Sequence, residues 1–332
     1  MSWLYLTEEE ICLALKGDNY RMTKKKKTLC EVPADTVEGA VLTAPSQVDY
    51  SIIEDSLHRG IPLLRISPQG RFLGHLGSEA NQDIFKQKEQ FTLLKQLGLC
   101  TALAKRILFN MAYNEMAVLH RYSRKSDDPS IDTAVSNMRT SLDRLPRAET
   151  MEEVTGYKKI ISRIYFYALG SIMPDRFRFR EKTRHPAKDP VSSLLEFGYS
   201  LLLCDFYTAI EKLGLYPYVG IFHSLKNGCP SLASDLMAPW KPVVIDSISF
   251  SLLNEGILKE RAFDCTDPEG AVWIKPAGRR ILAQQYERKM SSVNPYFQGQ
   301  YSWRETIMIY CESFLQVLSE KNVSLLKTMI IR

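Results

Sequence analysis

The feature that most restricts the fold is a change of hydrophobic period near residue 81 of this 332-residue chain. Before it, apolar residues come in short runs bounded by turn formers: WLYL at 3–6, GAVLTA at 39–44 and IPLLRIS at 61–67. Such runs read as β-strands, and SPQGRFLGHLG at 67–77 places a Pro-x-Gly turn between two strands of a hairpin. QVDYSIIEDSLHRG at 47–60 predicts a short amphipathic helix that ends at Gly60 as C-cap. After residue 81 the period is 3.6, over 81–99, 101–125, 154–172 and 189–215, with apolar residues at i, i+3, i+4 and i+7. The expectation is an α+β protein of two domains: a small β-rich N-terminal domain, residues 1–80, followed by a mainly α-helical C-terminal domain, residues 81–332. RKSDDPSIDT at 124–133 reads as a polar connection between helices. Residues 254–281 read as a hairpin insertion around Asp267-Pro268-Glu269-Gly270.

Size supports two cores, since chains beyond about 250–300 residues usually divide. With 45% hydrophobic and 24% charged residues the chain is of ordinary globular composition, and no repeat or low-complexity tract interrupts it. No apolar run approaches the roughly 20 residues that span a bilayer. The N-terminus carries Glu8, Glu9 and Glu10 where a signal peptide needs a basic region and a clean apolar stretch. A cytoplasmic protein without membrane association is expected. Seven cysteines without a C-x-x-C pair argue for a reducing compartment and against a zinc ribbon. A net charge of +5 permits a polyanionic partner without requiring one. The lysine run Lys24 to Lys27 lies between two strands, as a solvated turn that discourages edge pairing or as a DNA contact.

The most distinctive polar segment is 175–184. Arg176, Arg178, Arg180, Lys182 and Arg184 recur at every second residue, with Phe177 and Phe179 between them. Extended backbone puts the cations on one face and the rings on the other, so the rings can anchor a strip that offers charge to a phosphate chain. The alternative is a solvated loop over the core. Asp189 and Pro190 then open a helix as N-cap and first-turn residue.

Residues 186–246, from PAKDPVSSLLEFGYSLLL through GLYPYVGIFH to SLASDLMAPWKP, resemble the signature of the CRISPR-associated integrase and endonuclease family, the universal subunit of spacer acquisition. More loosely, the resemblance extends over nearly the whole chain. It implies a β-rich N-terminal domain that helps form a homodimer and a helical domain with a divalent metal site. It also implies DNA and a small ferredoxin-like adaptation subunit as partners. In the family, Mg²⁺ or Mn²⁺ is held by a Glu on a G-x-E-G helix, the His of G-F-x-H and an acid of D-L-x-E. Hard ions of this kind prefer carboxylate oxygens and polarise a phosphodiester.

Carried over by residue, the family glutamate position holds Lys158, the histidine is His223, and the second acid of D-L-x-E is Ala238, while Asp235 matches the first. One of the three ligands, His223, remains, with Asp235 as a substitute acid. Glu152 and Glu153 turn off the Lys158 face of their helix, and Glu196 is a further acid near the signature. Ser192 and Ala187 replace an Asn and a Pro of the family pattern. The departures gather around chemistry while the packing residues persist, so a divalent ion is expected to bind weakly or not at all. For His223 the alternative is a hydrogen-bonded junction histidine. Asp235 can cap a helix or pair with a cation, and Lys158 can be solvated or fill the vacated metal space. Two functions follow: a DNA-binding adaptation subunit with impaired or absent catalysis, or an active metal-dependent endonuclease or integrase using His223 and Asp235.

Overall fold

A computed structural model describes residues 2–79, 82–123, 129–183, 186–222 and 228–331. The N-terminal part contains two four-stranded sheets. The first has the order β1 (Ser2–Leu6), β5 (Val37–Leu42), β7 (Leu63–Ile66), β8 (Phe72–Leu76), parallel except for the β7–β8 hairpin. These are the strands and the hairpin expected from the sequence. The second has the order β4 (Lys27–Pro33), β3 (Asn19–Lys24), β2 (Ile11–Lys16), β6 (Ser46–Val48). α1 (Tyr50–Arg59) stops at Gly60, which takes the left-handed conformation at φ 66°.

Leu4, Leu6, Leu13, Tyr20 and Ala40 fill a small core with Ile52 of α1. Trp3, Val41, Leu64 and Ile66, from alternate positions of the first sheet, instead join the large helical core. The first sheet is thus covered on both faces, which is why its central strands read as unbroken apolar runs. The lysine run forms the β3–β4 turn. Lys25 and Lys26 take positive φ, and Lys24 and Lys25 pair with Glu8 and Glu10 at 2.7 and 3.7 Å.

The helical part comprises α2 (Ile84–Leu93), α3 (Leu97–Ser123), α4 (Pro129–Arg144), α5 (Met151–Ser171) and α6 (Pro190–Lys212). After these come α7 (Ser231–Leu236), a π-helical turn over Lys241–Asp246 that runs into α8 (Ser247–Asn254), then the short β9 (Phe263–Asp264) and β10 (Trp273–Ile274). α9 (Pro276–Met290), β11 (Val293–Tyr296), β12 (Gly299–Ser302) and α10 (Trp303–Glu320) complete it. α6 is the central element, buried at almost every position from Val191 to Ile210, as its all-round apolar sequence demands.

Three expectations are corrected. Residues 81–99 do not form one helix, because α2 ends at Leu93 and α3 begins at Leu97. Residues 129–133 open α4 instead of linking helices, since Ile131, Ala134, Val135, Met138 and Leu142 form a buried stripe. Residues 220–246 do not end a helix: α6 stops at Lys212, and Gly214 turns the chain at φ 78°. The hairpin expected around 267–270 is present as β9–β10. Among the described residues no helix is long and apolar enough to cross a membrane.

Candidate functional site

α5 is fixed by a capping box in which Thr150 and Glu153 exchange side-chain and backbone hydrogen bonds. Glu153 is thereby committed to the helix start, as its position off the Lys158 face required. Two turns from the cap, Lys158 places its ammonium 4.3 Å from the centroid of the Phe222 ring. The backbone of that same phenylalanine meets Asp235. The amides of Ile221 and Phe222 donate to Oδ2 of Asp235 at 2.7 and 2.8 Å, and the Gly220 amide donates to Ser231 Oγ at 3.0 Å. A Cβ at Gly220 would lie 2.6 Å from the Asp235 carboxylate, so the loop closes on α7 only with glycine there. Asp235, buried on α7, is a loop-capping carboxylate. Ala238 follows α7 and is buried without any donor in its side chain. The structure thus brings Lys158 and Asp235 onto opposite parts of one residue, with Ala238 three positions further along. His223, the remaining family position, lies outside the described residues.

Behind Lys158 is a buried polar cluster that the sequence reading did not identify. Asp246, at the end of the π-helical turn, accepts hydrogen bonds from Tyr165 of α5 at 2.8 Å and Tyr199 of α6 at 2.7 Å. Burial pushes its carboxyl up to about 6, against the two tyrosine hydrogen bonds and the charges of Lys182 and Lys241. Glu115 on α3 is also buried. Burial first and the Asp246 charge second hold its carboxyl well above the usual range, with Lys158 and Lys241 opposing. Its Oε2 has no hydrogen-bond partner among the described residues. Lys182 and Lys241 place their ammonium groups 4.3 and 5.3 Å from the Tyr199 ring centroid. Two signals were available in the sequence: Glu115 is an acid inside the apolar run MAYNEMAVLH, and Asp246 ends the family-like segment KPVVID.

The Arg-Phe strip keeps its alternation without being a strand. A single 3₁₀ turn, Asp175–Phe177, leads into extended backbone at Arg178. Phe177 and Phe179 are buried, while Arg176, Arg178 and Arg180 are exposed. Arg178 makes an exposed pair with Asp175 at 3.1 Å, a contact of little energetic weight. Lys182 turns inward to Tyr199 and so links the strip to the Asp246 cluster. Arg184 lies outside the described residues. Asp189 caps α6 by accepting the Ser192 amide at 2.8 Å, as expected. Glu196 is buried on α6, beside the turn between β7 and β8.

Among the described residues no three His, Cys, Asp or Glu side chains converge as a metal site. A hard divalent ion takes six or more oxygen ligands, and bound Mg²⁺ keeps one or two carboxylates with water. Here the family glutamate position presents an ammonium, the second acid is a methyl group, and one oxygen of Asp235 already accepts two amides. The described residues therefore do not fit such an ion.

The family model described as "CRISPR associated protein Cas1" matches residues 4–288. A CRISPR-associated endonuclease Cas1 of Mycobacterium tuberculosis is 25% identical over 291 residues, covering 87% of this chain and 85% of the relative. One from Thermus thermophilus, Cas1 3, is 28% identical over 309 residues, covering 92% of this chain and 90% of its own length. Among solved structures, a CAS1 protein from Thermotoga maritima superposes with a TM-score of 0.80 at 18% identity, covering 96% and 97% of the two chains. A casposase bound to integration product gives 0.85 at 18% identity, with 97% and 92% covered. At that identity the superpositions establish the fold.

Proposed function

The chain belongs to the Cas1 family of CRISPR-associated proteins, and we propose that it serves spacer acquisition as a DNA-binding subunit whose own phosphodiester chemistry is impaired or lost. The observation that carries this reading is the occupation of two family ligand positions by Lys158 and Ala238 while the scaffold around them is intact. In this reading Lys158 stands in the metal space as a resident cation. It cannot activate water or polarise two oxygens at once, but it can hold a phosphate as a point charge. Lys182 and Lys241 add to that field, and Glu115, held protonated near neutral pH, subtracts little from it. The strip Arg176, Arg178, Arg180, Lys182 and Arg184 would hold DNA by its phosphates with little dependence on sequence. The protein would work in the cytoplasm as a homodimer joined through its β-rich part, beside a small ferredoxin-like adaptation subunit.

Titration of Mn²⁺ followed by thermal unfolding tests this. A bound ion stabilises the native state by RT ln(1 + [L]/Kd), about 2.7 kcal/mol at a hundredfold excess over Kd. The parent is expected to show no shift, and Lys158→Glu combined with Ala238→Glu is expected to gain one together with cleavage of branched DNA. Strong Mn²⁺ binding and cleavage by the parent, lost in His223→Ala, would establish the active-enzyme alternative instead. For the strip, Arg178→Ala with Arg180→Ala should weaken duplex binding across all sequences and reduce the salt slope by about one unit per lost phosphate contact. Unchanged affinity and slope would leave it as surface only. For the dimer, Leu29→Glu on the exposed β4 edge should convert a sedimenting dimer to monomer.

A further inference from the structure

A groove separate from this cluster runs along another face of α3. Arg121 follows Asn114 by seven residues, about two turns, so the two share a face, whereas Glu115 points about 100° away from Asn114, toward Lys158. Asn114 donates to the carbonyls of Pro239 and Met329 at 2.8 and 2.9 Å, and its Oδ1 accepts the Ile331 amide at 2.9 Å, which ties residues 329–331 along α3. Two compartments of about 460 and 710 Å³ meet at Arg121 and Ile331. The first is lined by Tyr113, His120 and Arg139, and the second by Lys289, Tyr296 and Phe297.

The charge of this lining is of one sign. Neither compartment is lined by a carboxylate, although the protein as a whole has 38 acids to 43 basic residues. Lys289 and Arg121 crowd each other: burial first, and then the arginine charge, push the Lys289 ammonium below its ordinary range. Its Nζ lies 4.7 Å from the centroid of the buried Trp303 ring. Such a pair of cations is stabilised by an anion brought from outside.

The hairpin that supplies Phe297 is strained. The two-residue turn between β11 and β12 is Phe297–Gln298, and both residues take positive φ, 50° and 68°. Turns of this kind favour Asn-Gly, and a bulky aromatic there works against its own backbone preference. The cost holds a partly exposed ring at the groove, with Lys327 Nζ 5.6 Å from its centroid. Strain kept at one such residue is a mark of use.

We propose that this groove binds a segment of single-stranded nucleic acid, with Arg121 and Lys289 on phosphates and Phe297 as a platform for a base. The inference rests on the reading of the chain as a DNA-binding subunit, and it adds a second contact area and the form of DNA that it takes. Alternating cations and rings suit an unpaired strand because only unstacked bases offer their faces; a duplex held by its phosphates has no need of the rings.

Fluorescence anisotropy of the full chain with a labelled oligothymidylate, beside a blunt duplex of equal length, tests it. Arg121→Ala with Lys289→Ala should weaken single-strand binding about tenfold or more and flatten its salt slope by about 1.4, at roughly 0.7 per phosphate, with duplex binding unchanged. Phe297→Asn provides an independent arm, because asparagine tolerates the left-handed conformation. It should raise the unfolding temperature and still weaken single-strand binding about tenfold. Absence of oligothymidylate binding by the parent, or unchanged affinity in both variants, overturns the proposal. Loss in the double variant but not in Phe297→Asn, with polyglutamate competing equally, assigns the groove to an acidic peptide and also overturns it. The strip reading is judged separately, by duplex binding in Arg178→Ala with Arg180→Ala.

Discussion

Tyr199 and Asp205 lie six residues apart on α6 and point into different buried clusters, one unfinished and one complete. In the complete one, Arg304 donates from Nε to Asp205 at 2.7 Å and from both terminal nitrogens to Glu287 at 3.0 and 2.7 Å. Tyr5 donates to Glu287 at 2.8 Å, and Tyr286 donates to Asp205. Burial alone would lower the Arg304 pKa, but the charges of Asp205 and Glu287 carry it above its ordinary value. Every strongly polar group there has a partner, and the partners come from β1, α6, α9 and α10. In the other cluster, Glu115 keeps an orphan oxygen and Asp246 is held up to about 6 by burial. A closed network of this kind is scaffold. An open one, where titration is displaced and lysines replace the family's acids, has the character of a site whose chemistry has been withdrawn.

The largest expected effect tests the closed network. Arg304→Met leaves Asp205 and Glu287 without their counter-charge, and removal of one partner of a buried pair costs about 3–5 kcal/mol. Urea unfolding of the variant measures it. A cost below about 1 kcal/mol would remove the distinction between the clusters.

A somewhat smaller effect belongs to Asp246 and depends on pH. Its folded carboxyl is raised from the ordinary 3.8 to about 6. The folded state therefore holds the proton more tightly, and this contribution to stability is complete below about pH 4 and lost as pH rises through 6. Two units correspond to roughly 3 kcal/mol. Asp246→Asn does not ionise, so its stability relative to the parent should improve between pH 4 and pH 7, read as paired unfolding midpoints. The groups facing Asp246 are Tyr165, Tyr199, Glu115, Lys182 and Lys241, and a flat difference would mean that the lysines already hold it ionised in that range.

The same contrast explains what was legible in the sequence. β1, β5 and β7 were readable because both faces of their sheet are buried and the runs are apolar throughout. The second sheet was not, because β3 and the edge strand β4 bury little and their sequences, NYRMTK and KTLCEVP, alternate weakly. α4 was read as a link because of its Ser, Thr and Asp residues. In place, Thr133, Thr140 and Ser141 bond the carbonyls four residues back while an apolar stripe faces inward. At the site, the positions of Lys158, Asp235 and Ala238 were legible from spacing against a family signature. Glu115, Tyr165, Tyr199 and Asp246 come from four separate elements, and no local pattern announces that they meet.

The smallest expected effect is the sharpest test of the open cluster. Glu115 is buried on α3, and its carboxyl is held well above the usual range, so at neutral pH it is a neutral acid. Glutamine is close to isosteric with that acid, and Glu115→Gln should change stability by less than about 1 kcal/mol, within the range of substitutions that break no network. Were Glu115 ionised and paired with Lys158, the same change would strand a buried ammonium and cost several kcal/mol, as Arg304→Met does to its carboxylates. The two outcomes are far enough apart for denaturant midpoints to separate them. A near-zero cost at Glu115 beside a large one at Arg304 means that Lys158 is not locked to this acid. The point-charge reading requires that result, because an ammonium already neutralised by a buried carboxylate offers little field to a phosphate.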